Sequence, residues 1–118
     1  MSKKRIVVTG LGVVSCHGND TEHFYQSLLE GKSGVKKISG FDASSFPTQI
    51  AAEITGFDPG DLIDKKQARR VDKFIAYTIV AGKKALMSAG ISLERLDRID
   101  KERAGVIIGS GMGGMERF

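Results

Sequence analysis

The sequence predicts an α/β fold in layers, with buried helices between sheets, on the strength of two short β-branched runs and one helix apolar on every side. Ile6-Val7-Val8 and Ala104-Gly105-Val106-Ile107-Ile108 are aliphatic without alternation, as in strands covered on both faces. Residues 64–89 carry a helical pattern with Gly90 as terminator. In it Val71, Phe74, Ile75, Thr78, Gly82, Ala85 and Leu86 form one stripe at helical spacing. In the second half Ala76, Tyr77, Ile79, Val80 and Ala81 carry the apolar surface round the helix, the mark of a helix buried on all sides. A domain of 118 residues seldom encloses such a helix by itself. The layers are therefore expected to continue in something larger.

The other elements follow in order. Thr9-Gly10-Leu11-Gly12-Val13-Val14 continues the first strand with glycines that let another backbone come close. Gly18-Asn19-Asp20 is a turn, and Asp20 or Asn19 can cap a helix with apolar face Phe24, Leu28 and Leu29, ending at Gly31. Between Lys32 and Pro59 the clearest strand candidate is residues 48–54, and Asp58-Pro59 suggests a helical turn through Ile63. Residues 92–97 suggest one more short helix. The second strand runs into Gly109-Ser110-Gly111-Met112-Gly113-Gly114, a glycine-rich turn. Met115-Glu116-Arg117-Phe118 then reads as the first turn of a helix cut mid-element, since one turn has no stability of its own.

Composition narrows the function classes. Apolar residues at 41% and charged residues at 27% make an ordinary globular chain rather than a disordered one. The net charge of +4 is mild and suits an acidic protein partner as well as nucleic acid. Seven per cent aromatic residues with no Trp leave few platforms for stacking bases. Cys16 is the one cysteine, so no internal disulfide can form, and a reducing compartment, cytosolic or stromal, is expected. No apolar run has the length to cross a bilayer, and Ile6-Val7-Val8 is too short for a signal-peptide core.

Four local patterns invite a chemical reading. Cys16 and His17 are adjacent, but neighbours on an extended segment point to opposite faces, and a metal site would need more ligands than the remaining His23 supplies. Both are expected to be packing or turn residues. Gly10-Leu11-Gly12 resembles a dinucleotide loop, yet Ser15 stands where the third glycine belongs. The turn at 109–114 resembles a phosphate cradle but lacks the following Lys-Ser or Lys-Thr. Lys66, Arg69, Arg70 and Lys73 fall at i, i+3, i+4 and i+7, a basic helix face whose ordinary meaning is a solvated surface.

Three segments in this order carry a resemblance. They are residues 5–15, beginning Arg5-Ile6-Val7-Val8-Thr9-Gly10; then Arg69-Arg70-Val71-Asp72-Lys73-Phe74 followed by Ala81-Gly82-Lys83-Lys84-Ala85-Leu86; and residues 103–114, through the glycine-rich turn. Leu28-Leu29-Glu30-Gly31-Lys32-Ser33-Gly34 and Phe41-Asp42-Ala43-Ser44 fit the same pattern. Together they resemble the amino-terminal region of β-ketoacyl-acyl-carrier-protein synthases of the type II system, most closely the elongating enzymes of bacteria and plastids, over essentially the whole chain, 1–118.

The resemblance implies a thiolase-like layered fold, of which this chain is the amino-terminal portion of the first half. It implies an acyltransferase that performs a decarboxylating Claisen condensation, is a homodimer at full length and needs neither metal nor organic cofactor. Its partners would be acyl carrier protein and the acyl and malonyl thioesters it delivers, with no nucleic acid and no membrane. The family's catalytic cysteine and two histidines fall beyond Phe118, so no catalytic residue is assigned here and the fragment alone is expected to be inactive. Met112, flanked by Gly111 and Gly113, matches the family position that projects into the acyl-chain pocket, where an unbranched, flexible side chain suits a yielding wall. Arg69 and Arg70, with Lys66 nearby, match positions implicated in docking the acidic carrier protein. Two other readings stay open: a non-catalytic interaction module using the basic helix, and another thiolase-like condensing enzyme of chain-initiating or polyketide type.

Overall fold

The computed structural model describes residues 3–114. The chain forms two compact units, one from residues up to Gly12 together with those from Pro59 onward, the other Val13–Asp58.

In the unit Val13–Asp58, helix α1 (Thr21–Leu29) starts where the Asp20 carboxylate accepts the His23 N–H at 2.8 Å. It ends at Gly31, whose φ of +64° lets the Lys32 N–H reach the Ser27 carbonyl at 2.9 Å. The predicted apolar face is not what α1 buries: Leu28 and Leu29 are exposed, and Ser27 is the buried residue. Strands β1 (Lys36–Lys37) and β2 (Ile50–Ala51) pair antiparallel, Lys36 opposite Ala51 and Lys37 opposite Ile50. The strand expected over 48–54 thus shrinks to the two residues that find a partner.

Glu53 ties this hairpin together. Its carboxylate accepts the Ser39 N–H at 2.8 Å, the Ser39 hydroxyl at 2.9 Å and the Gly40 N–H at 3.1 Å. The Ser39 backbone bond first, then its hydroxyl, hold the Glu53 carboxyl below its ordinary value of 4.5. A depressed native pKa stabilises the folded state above the unfolded-state value, and that contribution is lost as pH falls through the native one. Acid titration of stability should therefore show a loss beginning near pH 4.5 and extending below it, and Glu53→Gln should flatten that loss. An unchanged acid limb in the variant would show that these bonds do not couple to folding.

In the other unit, Gly60–Leu62 forms a 3-10 turn after Pro59, near the predicted place. Helices α2 (Lys65–Ala68) and α3 (Lys73–Ser88) follow, where one continuous helix over 64–89 was expected. Asp72 interrupts it with extended backbone, φ −61° and ψ 151°, so the hydrogen-bond ladder restarts at Lys73. Gly90 closes α3 with φ +67°, and the Ile91 N–H returns to the Leu86 carbonyl at 2.9 Å. The short helix expected over 92–97 is α4 (Leu93–Asp97), with Ser92 as its cap.

The core of this unit is Ile63, Ala76 and Val80, and Val80 has no exposed surface. Beside it the Lys83 ammonium donates to the Leu62 carbonyl at 2.5 Å, tying α3 to the 3-10 turn. The close approach foreseen for Gly10 and Gly12 is made to α3. A Cβ on Gly12 would overlap the Ala81 carbonyl oxygen and stand 2.7 Å from the Ala85 nitrogen, and a Cβ on Gly10 would overlap the Ala85 carbonyl oxygen. The Leu11 N–H completes the contact with a 3.3 Å bond to Ser88 Oγ.

The two predicted buried strands form no ladder among the described residues, and their side chains are open: Ile107 is wholly exposed, and Ile6, Val8 and Val106 nearly so. Aliphatic sequence favours extended backbone, but a strand needs a neighbour to accept its hydrogen bonds. Likewise the second half of α3 is half-buried on most sides rather than enclosed. The helical turn expected over 115–118 lies outside the described residues. Among the described residues, no helix is long and apolar enough to cross a membrane.

Candidate functional site

The glycine-rich turn lies on the first turn of α3. A Cβ on Gly113 would stand 2.8 Å from Phe74 Cζ and 2.9 Å from Cε1, closer than carbon atoms pack, so the ring and the turn backbone meet only because the residue is glycine. Gly114 has φ +84°, and a Cβ there would be 3.7 Å from Asp72 Oδ2. Gly111 has open space around it. Met112, between them, leaves the turn with 77% of its surface exposed, so no pocket closes over it among the described residues.

Lys66, Arg69 and Arg70 stand just before that seat. Lys66 is in α2, Arg69 caps its C-terminal end and Arg70 follows; all three are exposed. The expected basic face of one helix is corrected, because the break at Asp72 ends α2 before Lys73 opens α3. What unites the cations is a short junction, not an i, i+3, i+4, i+7 stripe. Sequence patterning assigned Phe74 to the apolar stripe and gave Asp72 no role; an Asp just ahead of an apolar helix was the available signal. It reads as a cap, yet the Asp72 side chain makes no capping bond.

Cys16 and His17 occupy the middle of a two-residue turn, not an extended segment. Ser15 and Gly18 exchange backbone hydrogen bonds of 2.9 and 3.0 Å, with Gly18 at φ +95°. The turn brings both side chains toward Gly34, whose Cβ would overlap Cys16 Sγ and lie 3.3 Å from His17 Nε2. The His17 ring also tilts against Phe24 at 6.4 Å. Among the described residues, no group of three or more His, Cys, Asp or Glu side chains could hold a metal. Packing accounts for both residues. A cleft of about 230 Å³ beside them is lined by Gly34, Lys36, Lys37, Ser39, Glu53 and Thr55, and its one carboxylate is the one already bonded to Ser39 and Gly40.

Comparison with known proteins agrees with the order of these segments. The chain is 51% identical over 116 residues to 3-oxoacyl-[acyl-carrier-protein] synthase I, chloroplastic, of Arabidopsis thaliana, covering 98% of this chain and 24% of that protein. It is 49% identical over 115 residues to 3-oxoacyl-[acyl-carrier-protein] synthase 2 of Coxiella burnetii, covering 98% and 27%. The chain thus spans about a quarter of the length of these relatives. Among solved structures, the ishigamide ketosynthase/chain length factor superimposes with a TM-score of 0.70 at 30% identity, over 80% of this chain and 23% of that one. This likeness places the chain in the thiolase-like fold class of ketosynthases. Residues 3–117 match the family described as Beta-ketoacyl synthase, N-terminal domain, and the chain belongs to that family.

Proposed function

We propose that the chain is the amino-terminal part of a 3-oxoacyl-acyl-carrier-protein synthase II, an elongating condensing enzyme of fatty-acid biosynthesis. The observation that carries this is identity of 41% to 51% across 98% of the chain to proteins named 3-oxoacyl-[acyl-carrier-protein] synthase I or 2. In the reaction a cysteine thiolate takes the acyl group from its carrier thioester and releases the carrier thiol. Two histidines then assist loss of CO2 from malonyl-carrier protein, and the resulting carbanion attacks the acyl-cysteine and expels the thiolate. No residue of this chain takes a catalytic part in those steps.

What the chain contributes is recognition. Met112, with Gly111 and Gly113, forms part of the wall along which the acyl chain lies; the space round Gly111 leaves that wall free to move. Lys66, Arg69 and Arg70 dock the acidic carrier protein, a role their shared exposure at one junction supports. The finer architecture is a homodimer whose further layers cover the aliphatic residues 6–8 and 104–108, in a cytosolic or stromal enzyme. A self-contained interaction module would have covered those segments itself, and Ile107 is wholly exposed.

Replacing Arg69 and Arg70 together by Glu in the synthase should weaken carrier-protein binding about tenfold at low ionic strength. Each exposed pair contributes up to about 1 kcal/mol, and about 1.4 kcal/mol corresponds to tenfold in Kd. The loss should shrink as salt screens the charges. Titration of fluorescent carrier protein at two salt concentrations measures both effects, and equal Kd values for variant and wild type in low salt would remove the docking role.

A further inference from the structure

We propose that Asp72 is a positioning residue for the glycine-rich turn, and through it sets where Met112 stands and which acyl-chain lengths the synthase accepts. The inference rests on the condensing-enzyme reading above. Its own ground is the geometry at the start of α3.

An Asp ahead of a helix ordinarily accepts an N–H from the second or third helical residue. Asp72 holds the capping position but leaves that bond unmade. Its backbone carbonyl instead accepts the Ile75 and Ala76 N–H groups at 3.0 and 3.2 Å. Its carboxylate is turned toward the turn, with Oδ2 3.7 Å from where a Cβ on Gly114 would be. The other oxygen, Oδ1, is buried and has no hydrogen-bond partner among the described residues.

A buried acceptor left unpaired costs about 1–3 kcal/mol, more when it is charged, so an orphan of this kind calls for a donor. Among the described residues, the backbone of the turn faces the same carboxylate at Gly114, on the Oδ2 side. Successive N–H groups in glycine-rich turns gather into concavities that favour a carboxylate, and Gly114 lies against this one in the left-handed region. Phe74 supports the same turn from two residues further along, its ring lying where Gly113 would carry a side chain. Asp72 and Phe74 thus face adjacent residues of the turn, Gly114 and Gly113, and Met112 is the next residue along. A turn released from Asp72 would let Met112 swing, changing the depth available to an acyl chain while leaving the reacting groups in place.

The test compares Asp72→Ala with Asp72→Asn in the synthase that contains this chain, assayed with one short and one long acyl-carrier substrate. Asp72→Ala should shift the ratio of kcat/KM for long over short chains by about tenfold, a size typical of adding or removing a methylene-scale constraint in an apolar pocket. Asp72→Asn keeps Oδ1 as an acceptor and should restore most of the wild-type ratio. Amide hydrogen exchange over residues 109–114 gives a readout apart from turnover: faster in Asp72→Ala, near wild type in Asp72→Asn. Should Asp72→Ala fail to fold, Asp72→Ser, with a shortened acceptor, carries the same comparison. Equal loss of kcat/KM at both chain lengths, or unaltered exchange in the turn, would overturn the role of Asp72 alone. A wild-type synthase that condenses no acyl chain with malonyl-carrier protein would overturn the proposed function as well.

Discussion

Gly12→Val should lower the stability of the folded chain by about 3 kcal/mol, the upper part of the range for overpacking a close contact. The added Cβ would overlap the Ala81 carbonyl oxygen and sit 2.7 Å from the Ala85 nitrogen. Both obstacles are helix backbone, which cannot rotate aside as a side chain can. Relief requires the segment to lift off α3, which also costs the Leu11 bond to Ser88. Gly12→Ala should cost less, because it adds the collision without the two methyl groups. Denaturant midpoints for the two variants measure the effect. Wild-type stability in Gly12→Val would show that this segment does not lie on α3.

Val80→Asp should cost about 4 kcal/mol. Val80 has no exposed surface, and an isolated carboxylate in such a place must be desolvated without a partner or take up a proton. Met87, in the same helix, is 65% exposed, and Met87→Asp should change stability by less than about 0.5 kcal/mol. The pair separates burial from helix propensity, since both changes put Asp into α3. Far-ultraviolet circular dichroism against denaturant reports the outcome, and comparable midpoints for the two variants would contradict the assignment of Val80 to the core.

Both predictions concern contacts that local sequence announced only halfway. Gly10 and Gly12 signalled that some backbone comes close; that it is α3, at Ala81, Ala85 and Ala89, is a matter of tertiary packing. The same division holds for the candidate site. The order of segments carried the family resemblance, with Met112, Arg69, Arg70 and Lys66 as its matched positions. The seat beneath the turn was not legible, because an Asp before a helix reads as a cap whether or not its side chain makes the bond. The thiol and imidazole of Cys16 and His17 were expected to diverge along an extended strand. Ser15 and Gly18 fold that stretch into a tight turn instead.

Local rules decided where helices begin and end. Asp20 and Ser92 cap α1 and α4, and Gly31 and Gly90 end α1 and α3 in the left-handed region, because capping bonds and positive φ depend on residues within one turn. Tertiary structure decided the rest. Nothing in Arg69-Arg70-Val71-Asp72 forbids a helix, yet the helix breaks there, just ahead of the first turn of α3 on which the glycine-rich turn rests. Ile6-Val7-Val8 and Val106-Ile107-Ile108 are strand-forming by composition but stand unpaired among the described residues. A helix closes its hydrogen bonds within its own span, whereas a strand must borrow a neighbour's, so helix ends can be read from adjacent residues and sheet membership cannot.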